Sequence, residues 1–264
     1  VSAGQAVGRP GAPGGIVNER PRPGPTRGVV VWEILREVLD ESAKASGRAV
    51  LDVLDAGGGT GGLAVPLAEL GHHVTVVDPS PDALAGLLRR AAEAGVTVRA
   101  LQGDADALPD VVGPDSADLV LCHSVLEYVD DPAAAMSSIA RTVRPGGAVS
   151  ALAANQVAAV LHRGLAGHFE DARRILASAQ GRWGEHDPMP RRFTSGMLAE
   201  LLAGAGLRVG EVRGVRVFAD LVPSGMIDGE RGAADELVAL ERAVSMHPVL
   251  KDVATQLHAL AHRR

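Results

Sequence analysis

Lysine is nearly missing from this chain. Only Lys44 and Lys251 occur in 264 residues, so almost every positive charge is an arginine, as a GC-rich coding bias alone would give. The formal net charge is -6, whereas a general nucleic-acid binder has a basic balance. The single cysteine, Cys122, rules out an internal disulfide. Hydrophobic residues make up 46% of the chain, yet no run approaches the roughly 20 apolar residues that cross a bilayer. The first residues lack the charged, apolar and small-residue order of a signal peptide, so a soluble cytoplasmic protein without a membrane partner is expected. His72, His73, His162, His168 and His186 show no ligand spacing, and no metal is expected. The length suits one α/β domain with an elaboration, or at most two small domains.

Residues 1–25 hold five prolines and six glycines without apolar periodicity. Such a segment cannot bury enough surface to offset its ordering entropy, which predicts a disordered tail before a domain over 26–264. A helix is expected near residue 31, where Val31, Trp32, Leu35, Val38 and Leu39 repeat at helical spacing. Apolar runs at 49–55, 73–78, 96–101, 117–123 and 147–154 then read as five strands with helices between them, a parallel, doubly wound, Rossmann-like sheet. After residue 154 the rhythm breaks. Helices and a loop are expected over 155–205 as a substrate-side insertion, and 207–264 reads as a sixth strand, a helix and a seventh strand, giving about seven strands.

The stretch "DAGGGTGG", Asp55 to Gly62, has five glycines in eight residues straight after an apolar strand. Such a turn lets the backbone approach a ligand and directs helix N-terminal amides at it. The spacing Gly57, Gly59, Gly62 meets the dinucleotide fingerprint, and Asp78, ending the second strand, stands where an acid grips ribose hydroxyls. A nicotinamide cofactor therefore has to be weighed. Against it, an acid immediately before the loop would repel a pyrophosphate and suits a ligand with an ammonium group.

The segments "VLDAGGGTG", "VDPS", "GDA", "DLVLCHSVLEYVDDP" and "VRPGG" together resemble the class I S-adenosylmethionine-dependent methyltransferases in content and order. The likeness spans about residues 27–220. "CHSVLEYV", "NQVAAVLHRGLAGHFEDA" and "GVRVFADL" are similar to the bacterial family that methylates the carboxylate of 5-carboxymethoxyuridine in tRNA. That resemblance implies S-adenosylmethionine as cofactor, held by Arg27, Asp55, Gly57, Gly58, Gly59, Asp78, Pro79, Asp104, Ala105 and His123. The chain departs from the family in two places. A lysine-rich run is replaced by "LASAQGRWGEHDP", and the aromatic before Asn155 is Ala154.

Residues 158–218 contain nine arginines against six acids, a local +3 within a chain of -6. Arg173 and Arg174 read as a solvated helix surface. Arg216 interrupts the apolar "VRVF", and a buried arginine needs an anion, either an internal carboxylate or a substrate. Arg216, then Arg163 and Arg192, together with Asn155, are expected to orient an anionic acceptor, either tRNA or a small molecule. A carboxylate acceptor requires no general base. A phenol or amine would, with His123 or Tyr128 as candidates. A small-molecule O-methyltransferase of secondary metabolism is the alternative reading, and a non-catalytic cofactor-binding module a third.

Overall fold

The computed structural model describes residues 28–229 and 232–264, so the expected tail and Arg27 lie outside the described residues. In chain order the elements are α1 (Val29–Ser46), β1 (Asp52–Ala56), α2 (Ala64–Glu69), β2 (His73–Asp78), α3 (Pro81–Ala94) and β3 (Arg99–Gln102). They continue through α4 (Leu108–Val112), β4 (Ala117–His123), α5 (Pro132–Thr142), β5 (Val143–Ala154), α6 (Gln156–Leu165), α7 (Phe169–Ala177) and α8 (Ser195–Gly204). The last are β6 (Arg208–Val215), α9 (Ser224–Gly229), α10 (Ala233–Val244) and β7 (Gln256–His262).

The seven strands form one sheet in the order β3-β2-β1-β4-β5-β7-β6. Neighbours from β3 to β5 are parallel, and β7 runs antiparallel to both β5 and β6. This is the expected Rossmann-like architecture. The central strands read as apolar runs because helices cover both faces. Along β4 the side chains alternate: Leu119 and Leu121 join a core with α1, α2 and α3, while Val120 and Cys122 join one with α5 and α8. Burying each such leucine is worth about 1.5–3 kcal/mol.

Local signals set the helix ends. Ser80 caps α3 by accepting from the Ala83 N–H, Pro81 follows it, and Gly95 closes the helix in the left-handed conformation. Asp131 and Pro132 open α5 in the same manner.

Several expected boundaries shift. The third strand begins at Arg99, where pairing with Thr75 starts, and not at Val96. The fifth begins at Val143, because Val143 pairs with Ala117 before a register shift, so "RPGG" lies within the strand and does not end the preceding turn. The first starts at Asp52, and the sixth stops at Val215. Between β6 and β7 the described residues form two α-helices and a short 3-10 turn, Leu250–Val253, where one helix was expected. The segment 155–205 supplies α6, α7 and α8.

Candidate active site

The chain leaves β1 through Asp55 and turns at Gly57, whose φ is +73°. The Gly57 N–H donates to the Val77 carbonyl at 2.7 Å, fastening the loop to β2. A Cβ at Gly57 would collide with the Val125 side chain, and one at Gly58 would strike the Asp55 carboxylate. These two glycines are therefore demanded by the protein's own packing. Gly59 donates its N–H to Asp78 Oδ2 at 2.9 Å.

Asp55 is 3% exposed. Among the described residues its carboxylate has no hydrogen-bond or ion-pair partner, and burial together with the nearby negative charge of Asp78 pushes it up to about 7. An unpaired buried carboxylate beside a second acid is costly unless a cation joins it. Asp78 accepts from Ser80 N–H at Oδ1 and from Gly59 N–H at Oδ2, both at 2.9 Å. Each oxygen keeps a lone pair for a further donor, such as a ribose hydroxyl. Ser80 and not Asp78 caps the helix.

A cleft of about 470 Å³ opens over these strand ends, lined by Gly57, Asp78, Pro79, Asp104, Ala105, Asp106, Ser124, Val125, Tyr128 and Asp130 among others. It gathers five of the expected cofactor residues: Gly57, Asp78, Pro79, Asp104 and Ala105. Asp55, Gly58 and Gly59 are not among its lining residues; an adenosine with an attached amino acid would bring an ammonium for the buried Asp55 and ribose hydroxyls for Asp78.

His123 is placed differently from the expectation. It ends β4, but its ring bonds to the Ser150 hydroxyl, Nε2 to Oγ at 2.8 Å, and it is not among the residues lining the cleft. Burial pulls it down to about 4. Ser150 also reaches His258 Nε2 at 2.8 Å. Neither partner was singled out from the sequence. The signal was a lone polar residue in the apolar run "AVSALAA" and a histidine between apolar neighbours in "LHALA".

On the acceptor side, two expected residues are already engaged. Asn155 caps α6 by accepting from Val157 N–H, and its Nδ2 donates to the carbonyls of Asp252 and Ala254 at 2.8 and 2.7 Å. Both amide protons are taken, so Asn155 is a structural tie between α6 and the approach to β7. Arg216 lies beyond the end of β6, in the left-handed region at φ +64°, and pairs with Asp220 at 2.5 Å. Its anion is an internal carboxylate. The turn after it is fixed by Glu241 of α10, which is buried and accepts from the N–H groups of Val217, Phe218 and Ala219. Arg192 is bound by both oxygens of Asp187, at 2.7 and 3.0 Å.

Arg163 keeps more freedom. Its guanidinium lies 4.6 Å over the Trp183 ring and only 3.5 Å from Asp171. It borders a second cavity, of about 230 Å³, formed by Ala154, Ala158, Ala159, His162, Ile175, Met189 and Thr255 with Asn155 and Arg192. Glu127, next to Tyr128 of the cleft lining, is buried. It accepts from Ala154 N–H at Oε1 and has an unpartnered Oε2, and burial raises its carboxyl. Arg173 and Arg174 pair with Glu170 on the solvent side of α7. Among the described residues no cluster of metal-ligating side chains occurs, and no helix is long and apolar enough to cross a membrane.

A seven-stranded sheet of this order with a glycine loop, a strand-end acid and a cleft between them defines the class I methyltransferase fold. Solved structures agree on the fold. A SAM-dependent methyltransferase from Methanosarcina mazei matches with a TM-score of 0.58 at 16% identity, over 87% of this chain and 96% of that one. Magnesium protoporphyrin IX methyltransferase from Synechocystis, solved with bound SAH, matches with 0.56 at 16% identity, over 89% and 84%.

Residues 54–151 match the model of a methyltransferase domain. The tRNA 5-carboxymethoxyuridine methyltransferase of Escherichia coli is 34% identical over 199 residues, 75% of each chain. The ubiquinone biosynthesis O-methyltransferase of Aeromonas salmonicida is 37% identical over 112 residues, 42% of this chain and 45% of that one. This chain belongs to the S-adenosylmethionine-dependent methyltransferase family.

Proposed function

We propose that this enzyme methylates a carboxylate oxygen of an anionic acceptor, with 5-carboxymethoxyuridine in tRNA as the leading candidate. The observation that carries the reading is the 34% identity to the tRNA enzyme across 75% of both chains, including the α6–α7 insertion that borders the second cavity. The buried Asp55 would pair with the cofactor ammonium, and in the cleft Asp78 would accept from the ribose hydroxyls while Asp104 and Ala105 would border the base. Bound there, S-adenosylmethionine supplies a methyl group activated by its sulfonium. A carboxylate is ionised at neutral pH and brings its own nucleophilic oxygen, so the chain has no proton to remove. Its task is to orient the anion and exclude water, which can lower a barrier by several kcal/mol.

Arg163 takes the role expected of Arg216 and Asn155. Its side chain is about one-third exposed, with the guanidinium stacked on Trp183 and loosely paired, so it retains donors for an incoming carboxylate. The apolar floor of Ala158, Ala159 and Ile175 suits the body of the acceptor.

The test incubates the protein with isotopically labelled S-adenosylmethionine and tRNA carrying 5-carboxymethoxyuridine, followed by mass spectrometry of the nucleosides. A labelled methyl ester on that nucleoside is expected. Absence of label there, with label entering a small molecule from a cell extract, would replace tRNA by the small-molecule acceptor that the ubiquinone-pathway relatives favour.

A further inference from the structure

Three polar side chains meet inside the apolar face that packs under α1. His123 of β4, Ser150 of β5 and His258 of β7 are joined by two bonds of 2.8 Å through the serine hydroxyl, and the rings stand edge to face with centroids 6.1 Å apart. Ser150 is fully buried and His258 is 1% exposed, whereas His123 retains partial exposure beside Ser124, which lines the cofactor cleft. Apolar residues of similar size would stabilise this layer more cheaply, so the polar chain needs another reason.

The serine hydroxyl donates one hydrogen bond and accepts the other, which leaves two arrangements. In one, Ser150 donates to His123 Nε2 and accepts from His258 Nε2–H. In the other, both directions reverse and His258 must carry its proton on Nδ1. That Nδ1 is buried without a partner. Across the sheet, Ser150 lies on the β5 side of His258, while Arg213 of β6 pairs in register with it on the opposite side. A proton on Nδ1 would be an orphaned buried donor in the field of that cation. A lone pair there is an orphaned acceptor that the guanidinium field favours. The first arrangement is selected, and it puts the proton of His123 on Nδ1, which has no partner among the described residues.

We propose that Ser150 and His258 lock His123 as its Nδ1–H tautomer, a hydrogen-bond donor at the cleft edge that orients the acceptor oxygen. His123 is then a positioning donor and not a general base. Only the identity of the acceptor oxygen rests on the O-methyl reading. The tautomer is a property of the chain alone.

Nitrogen-15 NMR of histidine-labelled protein at pH 7 reads the lock without substrate. The expected result is a protonated Nδ1 and bare Nε2 for His123, with the opposite for His258. In Ser150→Ala the His123 signals should move towards the averaged values of a free neutral imidazole. A Nε2–H tautomer of His123 in the native protein, or an unchanged pattern in Ser150→Ala, overturns the lock. For the donor role, at saturating S-adenosylmethionine, His123→Leu should lower kcat/KM for the acceptor at least tenfold and His123→Asn should keep most of it. Equal loss in Leu and Asn variants overturns the donor role while leaving the O-methyl reading standing.

Discussion

Around the glycine loop, acids and backbone amides are left open towards a ligand. Among the described residues Asp55 has no partner, and Asp78 touches only two N–H groups. Across the cleft, on the side of β5 to β7, polar side chains are mostly bound to one another: Arg216 to Asp220, Arg192 to Asp187, Asn155 to two carbonyls, Glu241 to three N–H groups. The first region is built to be completed by a cofactor of fixed chemistry. The second is a self-consistent frame in which a few groups, Arg163 and His123 above all, remain for an acceptor.

The frame should be the more fragile region when cut. Glu241→Ala strands three N–H donors, two of them buried, and with roughly 1–3 kcal/mol for each unsatisfied buried group the loss should reach about 3 kcal/mol. Denaturant unfolding would show it, and a change under 1 kcal/mol would mean that the turn after β6 is held by something else.

Asp78→Ala cuts the open region. It should weaken binding of S-adenosylhomocysteine by about 1.5–3 kcal/mol, the range for hydrogen bonds to a charged group, with a smaller effect on melting. Calorimetry with unchanged affinity would move the ribose site away from Asp78.

Asp55 gives the comparison a pH dependence. Its folded-state value is raised to about 7, so the protonated form is favoured in the folded apo protein, and its contribution to stability is lost as pH rises from about 4 through 7. A cationic ligand requires the ionised form. Cofactor affinity should therefore fall as pH drops below 7, by up to about tenfold per pH unit, and Asp55→Asn should abolish that slope. Calorimetry at pH 6, 7 and 8 measures it, and a flat native profile would contradict the ammonium assignment.

The open region was legible in the sequence because its parts are local. A buried parallel strand reads as an apolar run, and the loop glycines and strand-end acid follow within a few residues. The frame was not, because its partners are separated in the chain. Asn155 meets carbonyls about 100 residues away, and Ser150 meets His258 over 108. Arg216 has its acid only four residues on, yet the left-handed turn that brings them together depends on Glu241 of α10. The single polar residues at buried strand positions, Ser150 and His258, were the visible trace of this frame.

Arg173→Ala, on the solvent face of α7, should leave melting and activity unchanged, since exposed pairs contribute little. A marked drop in activity with tRNA alone would extend the acceptor surface along that helix.

The account's central claim is that the methyl group goes to a carboxylate. The most direct measurement is the alkali stability of label transferred from S-adenosylmethionine to the acceptor, whether tRNA or a fraction of cell extract. A methyl ester releases its label as methanol in mild base, which is the predicted result. Label that survives the treatment, as in a methyl ether or methylamine, would contradict the claim and return His123 to candidacy as a general base.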